Sequence, residues 1–417
     1  MKRYESYKDS GVKWLGEIPG HWEVKRLGSF FIERRVKVSD KDFAPLSVTK
    51  NGIFPQLENV AKSNDGDNRK LVRANDFVIN SRSDRKGSSG VSSFDGSVSL
   101  INIVLKPRNT VYPTFCNYLL KSIAFIEEYY RNGRGIVADL WTTRFDEMKI
   151  IKLAMPPKAE QTAIANYLDS VTSKIDEAIS QQQKMIDLLN ERKQIIIQNA
   201  VTKGLDPNAK MKDSGVEWIG EIPEDWEVKR FRFLFKEKNE RNTLIKERKQ
   251  LQFKMGNIVL KDRQDLTNEM INVISNYNIV KPGHIVLNGL NLNYDFVSQR
   301  IALVKERGII TSAYICIESI NDINTSYYCY FMKAMDSKKL FHGMGSGIRL
   351  TLSYDNLKNL FFPYPSINDQ IEIVKYLDSV SSKIDSSISQ CNKMISLLQE
   401  RKQIIINDVV TGKVKVI

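Results

Sequence analysis

Cysteine and histidine are scarce in this 417-residue chain, at four and three residues. Cys116, Cys316, Cys329 and Cys391 lie far apart with no C-x-x-C spacing. That excludes a disulfide framework and a cysteine-based zinc site, and it fits a reducing cytosol, so a cytoplasmic location is expected. His21, His284 and His342 are isolated, with no H-x-x-H pair, so no metal ligands are expected. No apolar run approaches the roughly 20 residues of a membrane span, and the opening MKRYESYKDS has no apolar stretch of the signal-peptide kind. A membrane partner is therefore not expected.

Catalytic signatures are missing as well. There is no G-x-x-x-x-G-K-[ST] phosphate loop, which argues against ATP-driven work by this chain. Phe341-His342-Gly343-Met344-Gly345 fits an F-x-G-x-G string, but the Asn/Asp-Pro-Pro-aromatic loop that accompanies it in adenine methyltransferases is absent. Glu23-Val24-Lys25 and Glu227-Val228-Lys229 imitate a nuclease E-x-K without an upstream Asp. No Ser-His-Asp or paired-carboxylate arrangement can be assembled. No catalytic residue is expected in this chain.

Duplication is abundant instead. KDSGVKWLGEIPGHWEVKRL (Lys8 to Leu27) returns as KDSGVEWIGEIPEDWEVKRF (Lys212 to Phe231), identical at 15 of 20 positions. A second segment, Tyr167 to Thr202, returns at Tyr376 to Thr411 with 26 of 36 identities. The plan is a short frame segment, a divergent middle and a helical segment, given twice. The boundaries are 1–27, 28–157, 158–204, 205–231, 232–365 and 366–417. Trp14, Trp22, Trp218 and Trp226 hold equivalent frame positions, which suits packing anchors better than base stacking.

Net charge is +13. Residues 28–157 contribute +6 and 232–365 contribute +7, so the frame is neutral and the divergent middles hold all of the excess. A partition of this kind marks the middles as polyanion-binding parts, nucleic acid first.

The helical segments show a narrow seam of 3-4 spacing through Leu168, Val171, Ile175, Ala178, Gln182, Met185 and Leu189, repeated from Leu377 to Leu398. Pro156-Pro157 and Pro365 precede them, and Gly204 and Gly412 follow, as start and stop signals. About 40 residues at 1.5 Å each make a rod of roughly 60 Å, a coiled coil in expectation. FVINS (77–81), VSLINIVL (98–105), HIVLN (284–288), RIALV (300–304) and YICIE (314–318) read as strands, while 113–130 and 326–335 read as helical. The fold class expected is α+β: two compact α+β domains of about 130 residues, two long rod-like helices that each need a partner helix, and a pseudo-twofold internal repeat.

Taken in this order, the parts resemble the specificity subunits of type I restriction-modification systems. The paired frame openings carry the resemblance, with MPPKAEQTAIANYLDSVTSKID and YPSINDQIEIVKYLDSVSSKID at the helix starts and LLNERKQIIIQNAVTKG and LLQERKQIIINDVVTGK at their ends. It implies a non-catalytic subunit whose two α+β target-recognition domains each read half of a split double-stranded DNA target, separated by two long coiled-coil helices packed antiparallel as a spacer rod. It also implies two methyltransferase partners and motor/nuclease (restriction) subunits. S-adenosylmethionine, ATP and Mg would belong to those partners, with no cofactor here. A stand-alone DNA-binding regulator or architectural protein is the alternative, but it needs no docking frame in both halves.

Individual DNA contacts are candidates by residue type. In the first middle they are Asn80, Arg82, Arg85, Lys86 and Ser88, then Arg131 and Arg134, then Trp141 and Arg144. In the second they are Asn288, Asn291, Asn293 and Arg300, then His342, Ser346, Arg349 and Tyr354 around the Gly-rich loop.

Overall fold

A computed structural model describes residues 2–56, 66–135, 141–262, 268–345, 347 and 350–416. The chain forms two compact units, 1–183 with 392–417 and 184–391. The α-helices among the described residues are α1 (Pro113–Lys121), α2 (Ile123–Arg131), α3 (Phe145–Met148), α4 (Lys158–Lys203), α5 (Asn268–Ser275), α6 (Thr325–Ser337), α7 (Tyr354–Leu357) and α8 (Ile367–Val410).

The long helices α4 and α8 are divided between the units. In the first unit the start of α4 buries Ile164, Ala165 and Leu168 with Ile405, Ile406, Val409 and Val410 from the end of α8. Lys402 pairs with Asp176 at 2.6 Å. In the second unit the end of α4 buries Ile197, Ala200 and Val201 with Ile373 and Leu377, and Lys193 pairs with Asp385 at 2.7 Å. Within each unit the two helix segments therefore run antiparallel.

The frame is a buried hub in each unit. Glu23–Arg26 pairs antiparallel with Lys152–Met155, and Glu227–Arg230 pairs with Phe361–Tyr364. Trp22 and Trp226 are buried and join the helix residues in the two main cores. Polar anchors are duplicated too. Gln161 Oε1 accepts from the Tyr112 amide, and Gln370 Oε1 from the Asn324 amide, each at 2.8 Å. Tyr118 Oη donates to Asp169, and Tyr330 Oη to Asp378, each at 2.6 Å.

The divergent middles share one sheet order despite their sequences. In the first, Ser89–Val91, Phe77–Asn80, Asn102–Pro107 and Phe31–Glu33 form an antiparallel sheet. In the second, Ile301–Leu303, Ile285–Leu287, Ile315–Ser319 and Phe235–Glu237 do the same. Two expectations need refinement. The helix over 113–130 is two helices, because Ser122 turns to an extended conformation and its Oγ caps α2 at the Phe125 amide. The run 98–105 is the end of one strand, a turn at Leu100-Ile101 and the start of another. Cys116, Cys316 and Cys329 lie in the core; burial pushes the Cys316 thiol up to about 11, which keeps it protonated at neutral pH.

Candidate nucleic-acid interface

In the first unit, three segments distant in sequence converge at one end of the sheet. The strand Phe77–Asn80 delivers the loop 81–88. The Thr143 amide donates to Ser81 O at 2.9 Å, and the Ser83 amide to Trp141 O at 3.0 Å. Thr142 bridges to both Arg82 and Arg134 through backbone pairs. The three candidate groups, 80–88, 131–134 and 141–144, thus form one surface. A cavity of about 680 Å³ lies within it, lined by Trp14, Ser83, Lys86, Tyr130, Arg131 and Trp141.

The charges on this surface are unequal. Arg82 is exposed and makes no ion pair among the described residues. Arg85 lies 3.6 Å from Asp84, while Lys86 holds Glu127 at 2.7 Å. Arg131 pairs with Glu128 at 2.6 Å, and Arg134 approaches Glu147 at 3.6 Å. The Arg144 amide donates to Glu147 Oε2 at the start of α3. Asn80 and Ser88 do not present side chains to the surface. Both are buried: Asn80 Oδ1 accepts from the Arg82 amide, and the Asn80 carbonyl accepts from Tyr130 Oη at 3.1 Å. These two shape the loop from beneath. Burial pushes the Tyr130 phenol up to about 12, so it stays a donor.

The second unit has its counterpart at the same end of the same sheet order, built differently. The loop 288–299 follows Ile285–Leu287. Arg300, expected at the surface, is 2% exposed. Its guanidinium donates to the carbonyls of Asn288 (3.1 Å), Leu290 (2.7 Å), Asn291 (3.4 Å) and Asp295 (2.7 Å). Its own amide donates to Asp336 Oδ2 at 2.7 Å. A cation whose terminal nitrogens all donate to carbonyls staples a loop, and the one donor left, Nε, is buried beneath it and out of a base's reach.

His342 hydrogen-bonds Asp295 O through Nε2 at 3.0 Å and stacks on Phe296 with ring centres 4.8 Å apart. Tyr354 Oη donates to Phe235 O at 2.8 Å, which anchors α7 to the sheet. Asn288 Oδ1 caps the Leu290 amide. Asn291 is exposed, with a left-handed φ of 53°. Asn293 is half-buried. Ser346 and Arg349 lie outside the described residues.

What this loop does present went unmarked in the sequence. Tyr294, Phe296 and Val297 stand exposed, Val297 at 91%. Asp295 Oδ1 accepts from the amides of Val297 and Ser298, fixing the tip. The signal was available: a Tyr-Asp-Phe-Val cluster flanked by Asn and Ser between two strands is apolar where a loop is ordinarily polar.

No helix among the described residues is long and apolar enough to cross a membrane. Residues 223–395 match the family described as Type I restriction modification DNA specificity domain. The chain is 22% identical over 449 residues to a protein named for the type I restriction enzyme MjaX specificity subunit of Methanocaldococcus jannaschii, covering 98% of each chain. It is 29% identical over 237 residues to the type I restriction enzyme MjaVIII specificity subunit of the same organism, covering 53% of this chain and 51% of that one. Among solved structures it is similar to a chain from a study of complex assembly and conformational transition of the type I R-M system. That match has a TM-score of 0.67 and 14% identity, covering 95% of this chain and 99% of the other. The HsdS subunit from Thermoanaerobacter tengcongensis matches with a TM-score of 0.52 and 14% identity, covering 95% and 98%. With the duplicated frame and the matched sheets, the family match over 223–395 and the full-length likeness to a specificity subunit support an HsdS-like subunit of a type I restriction-modification system.

Proposed function

We propose that the two loop surfaces read DNA, each unit meeting one half of a bipartite double-stranded target, and that the chain itself performs no chemistry. The observation that supports this most is the convergence of 81–88, 131–134 and 141–144 on one basic surface, with the stapled loop 288–299 at the corresponding end of the second sheet. In the first unit, Arg82 and Arg85 offer bidentate donors for guanine or phosphate. In the second, Tyr294 and Val297 offer apolar contact, and Asn291 can address adenine.

The frame would dock two methyltransferase subunits. An exposed apolar stripe supports that role: Met185, Leu188 and Ile195 on α4 in one unit recur as Met394, Leu397 and Ile404 on α8 in the other. Equal stripes suit equal partners. Restriction subunits would join that assembly, and S-adenosylmethionine, ATP and Mg would act in the partners. The unread gap between half-sequences would follow the length of the helical segments. Such an assembly works in the cytoplasm, where the DNA is.

The test is a domain exchange. Residues 28–157 are replaced by the matching region of a relative, the chain is expressed with its methyltransferase, and modified adenines are mapped across the genome. One half of the modified sequence should change while the half read by 232–365 stays. Change in both halves, or in neither, would refute the assignment of one half to each unit.

A further inference from the structure

The two copies of the frame differ at one corner. In the first unit, Glu160 at the start of α4 receives three donors. Tyr4 Oη donates to Oε1 at 2.7 Å, Trp22 Nε1 to Oε1 at 3.2 Å, and His21 Nε2 lies 2.7 Å from Oε2. The Tyr4 ring meets Trp22 edge-on, with centres 6.2 Å apart. Residues 2–7 and 413–415 close over it: the Lys415 amide donates to Lys2 O, and Tyr7 Oη to Lys413 O. Packing is tight, since a Cβ on Gly412 would come within 2.3 Å of Pro19. Tyr4 is a plug seated on a tryptophan and a carboxylate.

In the second unit Trp226 stands for Trp22 and Asp369 for Glu160. Asp225 replaces His21, and Asn208 occupies the register of Tyr4. Both the carboxylate arm and the plug are shortened. The corner is correspondingly open: a cavity of about 570 Å³ lies there, bordered by the rim of the buried Trp226 and by Asp225, Asp369, Glu372, Lys203 and Lys210. A Cβ on Gly204 would meet only Trp226 and Pro223, at 3.4 Å or more. The carboxylates of Asp225, Asp369 and Glu372 make no hydrogen bond or ion pair among the described residues. A half-enclosed carboxylate beside an indole favours a donor on an aromatic ring, and the added acid at 225 favours positive flanks.

We propose that this corner is a socket for a tyrosine on a basic segment of another polypeptide. The phenol donates to Asp369, its ring lies against Leu205, Pro223 and the rim of Trp226, and flanking Lys or Arg side chains face Asp225 and Glu372. The socket goes beyond DNA reading and stands without it. It also makes the two frame copies unequal, one plugged by its own chain and one open.

The probe is a fluorescent peptide of residues 2–7, Lys-Arg-Tyr-Glu-Ser-Tyr, titrated into the full chain and followed by anisotropy. Saturable binding is expected. Phenylalanine in place of the first tyrosine, or Asp369→Asn in the protein, should weaken it about tenfold, the loss of one charge-assisted hydrogen bond. Asn208→Tyr should plug the socket from within, abolishing binding and raising the thermal midpoint. Asp225→Asn, a change of charge alone, should weaken binding less than Asp369→Asn. No saturable binding at millimolar peptide, or binding indifferent to both Asp369→Asn and Asn208→Tyr, would overturn the socket. Self-association of the full chain that Asn208→Tyr abolishes would assign the occupant to a second copy and overturn the partner.

Discussion

Replacing Arg300 by Met keeps the length of the side chain and removes its donors. Four carbonyls of the 288–295 loop then lose a charged partner. A hydrogen bond to a charged group contributes about 1.5–3 kcal/mol. The two bonds at 2.7 Å, to Leu290 and Asp295, should carry most of the effect. The outer face of the loop reaches water, so some carbonyls rehydrate. A net loss of about 3 kcal/mol is reasonable on these terms. For a unit of this size that lowers the melting temperature by roughly 6–12 °C if the unit unfolds as a whole.

The loop can instead detach, and the shift is then capped by the cost of local opening. Differential scanning calorimetry and limited proteolysis separate the two outcomes: a large shift, or a small one with new cleavage between 288 and 299. In both cases modification of the second half-sequence should fail while the first half is still recognised. A variant with unchanged melting, unchanged protease resistance and unchanged modification would refute the staple.

Converting Arg82, Arg85 and Lys86 together to Ala should flatten the log–log salt dependence of DNA binding by the assembled methyltransferase. The expected change is roughly 1.8 rather than 2.7 at about 0.9 per phosphate contact, because Lys86 already holds Glu127; an unchanged slope would place the loop in solvent. Burial raises the Asp336 carboxyl above its ordinary 3.8, so its ionisation opposes folding as pH rises through the raised value. Asp336→Asn keeps an acceptor for the Arg300 amide and should stabilise the protein at neutral pH but not below 3.8, measured as urea midpoints across pH. His284 is depressed below 6.5, chiefly by burial, so stability is intact above 6.5 and falls as pH drops below it. His284→Gln should remove that part of the acid sensitivity, and a variant with the same pH profile as the wild type would refute the assignment.

The frame was legible in the sequence because its residues repeat in register. Trp22 and Trp226, Gln161 and Gln370, and Tyr118 and Tyr330 do the same work twice. Which frame copy meets which helix end was not legible. Residues 197–201 lie on Trp226 and its frame, and 405–410 lie on Trp22. Both frames offer the same Pro and Trp, and both helix ends the same Ile and Val, so local pattern does not distinguish the pairings. Arg300 was misplaced for a related reason. A charged residue before a strand reads as surface, and the carbonyls that neutralise its cost are assembled only when the loop folds back.

The two candidate surfaces therefore solve one problem in opposite ways. In the first unit, neutral buried groups, Asn80, Ser88 and Tyr130, hold the loop and leave its cations outside. In the second, a buried cation holds the loop and leaves apolar side chains, Tyr294, Phe296 and Val297, outside. A loop needs something beneath it to satisfy its backbone and something above it to present. Since the sheet order is constant and the support is internal to each loop, either kind of residue can take either role without disturbing the frame. That independence lets the middles diverge while the helices and hubs stay nearly identical. It also means the halves should differ in physics as well as in sequence: the first dominated by charge and responsive to salt, the second by shape and apolar contact and less so.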